Sequence, residues 1–248
     1  MDAIRDNRRT SAYLLTGFAL VHFAVIAVLG LVLGQAIVGV AVGAVVAGVV
    51  AKFTPQWADG AALRTCDAVV AESGRYQRLH NLVEGLCIAN GVPKPAVHVV
   101  ESPALDACAT GRDPKHASLV VTTGLLEHLD RVQLEGVVAH ELAHVRRYDT
   151  RTGVLAGFVL GAAWKGLAQW SPLRRWRQSV IGEERELLAD ALACQMTRYP
   201  PGLLGAVRTM AEDGSRVGRP SAFDHLWAGR SGASAAALGT RIEMLREG

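Results

Sequence analysis

Residues 11–51 contain no Asp, Glu, Lys or Arg, and this gap in charge restricts the available folds more than any other feature. A helix needs roughly 20 apolar residues to cross the hydrocarbon core of a bilayer. The uncharged run is about twice that long, and Gly34 and Gln35 interrupt it near its middle. We read two transmembrane helices, residues 12–33 and 36–53, joined by a short turn. Gly39, Gly43 and Ala47 recur every four residues, a spacing that lets a second helix backbone come close. A cleaved signal peptide has one shorter apolar region and a cleavage site, which this segment exceeds. A buried core hairpin is the remaining alternative. His22, inside the first span, is assigned no function.

Flanking charge sets the expected orientation. Arg5, Arg8 and Arg9 precede the first span and Lys52 closes the second, while the turn carries none. The positive-inside rule then places both ends in the cytoplasm. The expected organisation is an N-terminal membrane hairpin, residues 1–53, and a cytoplasmic domain, residues 54–248, on the inner face of the cell membrane. The lipid bilayer is thus an expected partner.

The 248 residues are 50% hydrophobic and 6% aromatic, with a formal net charge of +3. No long basic patch interleaved with aromatics is present, so a nucleic-acid partner is not expected. Cys66, Cys87, Cys108 and Cys194 are dispersed and form no CxxC pair. That spacing suits free thiols better than a disulfide framework or a cysteine metal site.

Beyond the hairpin the pattern is mostly helical. Residues 54–90 mix polar and apolar positions at helical spacing around Tyr76, Leu79, Leu82 and Leu86 until Gly91, Pro93 and Pro95 break the run. Residues 95–101 and 119–122 read as strands, with a loop or edge strand near 106–110. Asp130 suits the N-cap of a helix over 131–147. Residues 153–170 are apolar but contain Lys165, so they read either as a further membrane-associated helix or as a buried one. Arg174, Arg175 and Arg177 follow as a basic cluster that suits a membrane surface. Helices are expected over 182–197 and 201–210, and a loop over 212–239. The fold class is mostly α (α+β), a helical domain carrying one small β-sheet.

Residues 140–144 read HELAH. On a helix, positions four apart share a face, so His140 and His144 can bind one metal ion together. Neutral imidazole suits Zn2+. Glu141 lies beside the position a water would take and is the candidate general base in attack on a carbonyl. With three fixed positions the motif is weak alone, and a polar surface helix is the competing reading. The apolar opposite face and the N-cap favour the metal site.

A catalytic zinc needs a third protein ligand. ERELLAD at 184–190 places Glu186 and Asp190 four apart on one helix face. Glu186 is the preferred third ligand, with Glu183 and Glu184 as alternatives. Asp190 would accept the second ring N–H of a ligating histidine. A solvated acidic face paired with Arg185 is the competing reading.

The hairpin, CATGRDPKHASLVVTTGLLEHLDRVQLEGVVAHELAHVRRYD (108–149), ERELLADALA (184–193), TRYPPGLLGAV (197–207), HLW (225–227) and RIEMLRE (241–247) together resemble the HtpX-type membrane zinc peptidases, relatives of the CAAX prenyl endopeptidase. The resemblance implies a zincin-type domain and one Zn2+ per chain held by His140, His144 and Glu186, with Glu141 as base. It further implies that Ala107, Cys108, Ala109, Thr110 and Gly111 form a sheet edge beside the active site, where an extended peptide adds as a strand. Such backbone readout points to broad cleavage of peptide or protein substrates, membrane proteins among them.

The chain departs from the family at three places. Asp106 and Cys108 stand where relatives commonly carry Asn and Phe. No His–Pro pair occurs over 234–237, leaving His225 and Arg241 as candidates to stabilise the transition-state oxyanion. The separation of His144 and Glu186 is short for a second full membrane hairpin. The leading functional expectation is a zinc endopeptidase in membrane protein quality control. A dedicated processing or signalling peptidase and an inactive scaffold are the alternatives.

Overall fold

The computed structural model describes residues 2–162, 183–215, 217, 223–228 and 235–247. Helices α1 (Asp2–Val32) and α2 (Ala36–Thr65) form the hairpin, and each is long and apolar enough to cross a membrane. Gly34 turns the chain with φ of 71°, a conformation glycine adopts without steric cost. The two backbones then touch. A Cβ on Gly30 would lie 2.5 Å from Gly39 Cα, and one on Gly39 would lie 2.7 Å from Gly30 Cα. Gly43 packs in the same way on Phe23. Outward, Leu20, Val25, Val28, Leu29, Leu31 and Val32 are exposed, an apolar surface larger than soluble proteins leave bare.

Both helices outrun their expected spans. α1 begins well before residue 12. α2 runs through Pro55 to Thr65, across the expected division at residue 53, because a proline costs a helix one hydrogen bond without necessarily ending it. The continuous helical reading of 54–90 is therefore corrected. Asp67 takes φ of 53°, a two-residue strand β1 (Val69–Val70) follows, and only then does α3 (Gln77–Asn90) begin.

A four-stranded mixed sheet is completed by β2 (Ala96–Val100), β3 (Ala107–Gly111) and β4 (Ala117–Thr122), in the order β1-β2-β4-β3. β2 and β4 are parallel, whereas β1 on β2 and β3 on β4 are antiparallel. β3 is thus an edge strand, as the resemblance implies. Part of that edge is covered, since Trp227 bridges Cys108 and Ala228 N–H donates to Ala107 O at 2.8 Å.

A short helix α4 (Thr123–His128) leads to α5 (Arg131–Arg146). Asp130 caps α5: its Oδ1 accepts from the Val132 and Gln133 amides at 2.8 Å, and Gln133 Oε1 accepts from Asp130 N–H at 3.1 Å. This reciprocal capping box satisfies donors that the first turn would otherwise orphan. α5 is sandwiched between the sheet and two later helices, α7 (Glu183–Thr197) and α8 (Pro200–Asp213). One central core spans the sheet and these helices, including Val99, Leu119, Val121, Leu125, Val138, Leu142 and Leu203.

Between them α6 (Asp149–Gly157) continues as a π turn over Phe158–Ala162. Its Val154, Leu155, Ala156 and Val159 are buried with Leu14, Leu15, Phe18 and Ala19 of α1 and Val50 and Ala58 of α2. The first half of the apolar 153–170 stretch therefore packs on the hairpin. The rest of it, and the 174–177 basic cluster, lie outside the described residues. Within the expected 212–239 loop, a 3-10 turn (Asp224–Leu226) precedes Trp227, and α9 (Ala235–Glu247) starts before the loop was expected to end.

Gly136 fixes how α5 meets α8. A Cβ there would fall 2.6 Å from Leu203 N and 2.7 Å from Leu203 Cα, both backbone atoms with no rotamer to yield. Gly136→Ala is expected to destabilise the protein by about 1–3 kcal/mol, the usual cost of overpacking. A lowered thermal unfolding midpoint of the detergent-solubilised protein is the readout, and an unchanged midpoint would refute the contact.

Candidate metal centre

The capped, tightly packed α5 presents His140 and His144 one turn apart, with their Nε2 atoms separated by 3.1 Å. α7 brings Glu186 opposite them. Its Oε2 lies 3.4 Å from His140 Nε2 and its Oε1 lies 3.4 Å from His144 Nε2. Ligand atoms of His140, His144 and Glu186 all fall within 4.8 Å of one another, the one such group of three among the described residues. Glu184, an alternative third ligand by sequence, is exposed, and the side chain of Glu183 lies outside the described residues.

What aims the imidazoles is on their far sides. His140 Nδ1 lies 2.8 Å from Asp190 Oδ1, and His144 Nδ1 lies 3.1 Å from Asp149 Oδ2. A carboxylate partner requires Nδ1 to carry the proton, so each Nε2 lone pair points at the shared centre. Asp190 was legible as a partner from its spacing to Glu186. Asp149 was not singled out, although it sits five residues after His144 on the next helix.

Arg241 locks Asp190 from α9. Its Nε and Nη2 donate to Oδ2 and Oδ1 at 2.7 Å each, and its Nη1 donates to Ala228 O at 2.9 Å. The guanidinium is buried and also lies 3.5 Å from Glu186 Oε2. Arg241 thus stands behind the imidazoles with its fork committed to Asp190. His225, the other expected oxyanion stabiliser, donates from Nε2 to Gly153 O at 2.9 Å. It does reach the cleft, which opens on Glu141, His144 and Glu186 between Ala109 of β3 and Thr150 and Gly153 of α6. Of the expected peptide edge, Ala109 is the residue that lines this cleft. Cys108 faces a separate cluster with Val100, Val120 and Trp227, Thr110 donates to Asp59 Oδ1 of α2 at 2.5 Å, and Asp106 is buried with its Oδ1 accepting from Ala107 N–H at 3.0 Å.

The electrostatics ask for a cation. Burial pushes the Glu141 carboxyl up. Burial would also raise Glu186, but the two imidazoles hold it well below the usual carboxylate range. Burial would depress His144, yet the Glu186 charge and the Asp149 hydrogen bond push it up to about 10. The direction of these shifts shows that positive charge is favoured at this point, whether a proton or a metal ion carries it. Meanwhile Glu141 Oε1 and Glu186 Oε2 are buried without a hydrogen-bond partner, a costly state for a polar atom. Two convergent imidazole lone pairs, a carboxylate and orphaned oxygens together fit Zn2+, which takes N and O donors in this number and leaves one position open.

The profile of peptidase family M48 matches residues 73–212, which hold all four of these side chains. The chain belongs to peptidase family M48. Among M48 relatives, proteins named protease HtpX homologue from Dictyoglomus thermophilum and Caldanaerobacter subterraneus are 37% and 36% identical over 173 and 187 residues. These matches cover 58% and 60% of this chain, which spans 57% and 62% of those proteins. The homologue from Levilactobacillus brevis is 31% identical over 245 residues, covering 84% of this chain and 82% of its own length. The chain is an HtpX-type M48 member, and the family implies a metal. No solved structure matches it.

Two outcomes are expected. Zinc at 100 times its dissociation constant should stabilise the metal-free protein by about 2.7 kcal/mol; a thermal midpoint indifferent to zinc and to chelator would count against the site. Arg241→Leu removes the cation from buried Asp190 and leaves it, among the described residues, only the His140 Nδ1–H at 2.8 Å, so a loss of up to about 3–5 kcal/mol is expected. Wild-type stability with a fall in turnover alone would instead give Arg241 a direct part in the reaction.

Proposed function

We propose that this chain is a zinc-dependent endopeptidase anchored in the cell membrane as a multi-pass protein, with its catalytic domain on the cytoplasmic side. The observation that carries the reading is the convergence of His140 Nε2, His144 Nε2 and Glu186 on one point beside a buried Glu141. His140, His144 and Glu186 would hold one Zn2+. Bound there, zinc supplies the Lewis acidity that polarises a peptide carbonyl and makes water a nucleophile near neutral pH.

The remaining chemistry belongs to the protein. Glu141, with Oε1 unpartnered, takes the proton from the attacking water and passes it to the departing amine. Its burial raises its proton affinity, the direction that lets a carboxylate hold that proton between the two steps. Asp190 and Asp149 keep each imidazole in the Nδ1–H tautomer. His225 on the cleft wall is the candidate for steadying charge on the carbonyl oxygen, whereas Arg241 acts from behind through Asp190. The stretch of β3 beyond the Trp227 and Ala228 contacts, from Ala109 to Gly111, would receive an extended substrate through backbone hydrogen bonds. Such readout suits cleavage of many partly unfolded membrane proteins, as in quality control.

The cover over Ala107 and Cys108 favours a second reading, a processing or signalling peptidase for one partner, because a shortened edge offers fewer backbone contacts. Glu141→Gln tests the enzyme reading. It should keep zinc while casein cleavage falls by at least about a hundredfold, within the range of a lost general base. A wild type that takes up zinc and cleaves nothing would leave the inactive scaffold. Comparing membrane proteomes with active and Glu141→Gln protein separates broad turnover from one partner.

A further inference from the structure

The cytoplasmic end of the membrane hairpin reaches the metal centre through one buried side chain. Asn7, on α1, is 3% exposed. Its Nδ2 donates to Asp149 Oδ1 at 2.5 Å and to Arg147 O at 3.0 Å, while its Oδ1 accepts from Arg185 Nη2. Asp149 spends its other oxygen on His144 Nδ1 at 3.1 Å, and Arg185 neighbours Glu186 on α7. A single amide thus ties together the partner of one ligand and the chain neighbour of another.

We infer that Asn7 is a positioning residue for the zinc ligands, acting through Asp149 on His144 and through Arg185 beside Glu186. This rests on the proposed metal site. The amide is the group the position calls for. It donates to a carboxylate and accepts from a guanidinium at once, and it adds no charge to a site already dense in charge. Without its N–H donor, Asp149 Oδ1 keeps, among the described residues, only Arg185 Nη1 at 3.7 Å, a distance too long for a hydrogen bond. Asp149 would then be held only through Oδ2, by His144 Nδ1 at 3.1 Å and Arg147 Nε at 3.4 Å, and the His144 ring would be fixed less firmly with it. Partners one step out from a metal ligand set its orientation and basicity, and their loss typically weakens metal binding about 10–100-fold.

The same helix interface offers a control that touches neither Asp149 nor Arg185. One turn along α1, the buried Ser11 hydroxyl lies 3.1 Å from Thr152 Oγ1 of α6. Ser11→Ala loosens the same helix pair as an Asn7 variant does, without reaching the ligands. Asn7→Leu keeps the volume of the side chain and removes both hydrogen-bonding functions, so it guards against a collapse specific to Asn7→Ala.

The test uses the full chain in detergent. Zinc affinity is measured by competition with a chelator, and ligand geometry by the visible absorption of protein titrated with Co2+ alone. Asn7→Ala and Asn7→Leu are expected to weaken zinc binding about tenfold and to shift the Co2+ bands, while Ser11→Ala leaves both as in wild type. Wild-type affinity and spectrum in both Asn7 variants would overturn the inference, as would a Ser11→Ala effect of equal size. A wild type that takes up no zinc would overturn the metal site and this inference together. Neither readout depends on turnover, so the peptidase reading stands or falls separately.

Discussion

Charge burial governs this structure. Glu141, Glu186, Asp149 and Asp190 all lie at or beneath the floor of one cleft, and each ion removed from water costs several kcal/mol unless paired. Several elements contribute to that pairing. α9 supplies Arg241 to Asp190, α7 supplies Arg185 toward Asp149, and the imidazoles bridge the two carboxylates on their far side to the one on their near side. Among the described residues, the buried carboxylate oxygens without a hydrogen bond are Glu141 Oε1 and Glu186 Oε2, beside the point where a cation would stand. That shortage of donors to carboxylates coincides with the proposed zinc position.

The hairpin is more than an anchor in this scheme. α1 buries Leu14, Leu15 and Phe18 against α6, and its Asn7 completes the Asp149 pair. α2 continues beyond the apolar run until Asp59 accepts from Thr110 of β3. One hairpin helix thus touches the ligand support and the other touches the strand proposed to receive substrate. The two helices are in close backbone contact through Gly30 and Gly39, so one packed pair contacts both halves of the cleft.

Much of this was legible from local sequence. An uncharged run, an N-cap and residues four apart on one helix face are signals with a short range, and they located the hairpin, α5, the two histidines and the Glu186–Asp190 pair. The misses share a physical cause. β1 consists of two exposed valines, too short to alternate, and Pro55 marks a boundary only when the helix actually breaks. Asp149 belongs to a different helix from His144, across the left-handed Tyr148 with φ of 62°, so no periodicity links them. Asn7 lies in a basic N-terminal segment that charge counting assigns to membrane topology, and its partners are more than 130 positions away. Sequence spacing carries no trace of a contact made only by tertiary packing.

Arg241 shows how a tertiary partner can change the meaning of a residue. A lone arginine near a cleft reads as an anion binder, because a guanidinium is always charged and offers five donors. Here Nε and Nη2 are spent on Asp190 and Nη1 on Ala228 O. The bond to Ala228 O holds the residue whose N–H covers Ala107 O on β3. The same guanidinium therefore braces the ligand His140 through Asp190 and the cover over the sheet edge through Ala228. A substrate that needed the full length of β3 would have to displace Trp227 and Ala228, and in doing so would pull on the group that orients His140. The length of edge a peptide could use and the orientation of a proposed zinc ligand would in this way be coupled through one buried side chain.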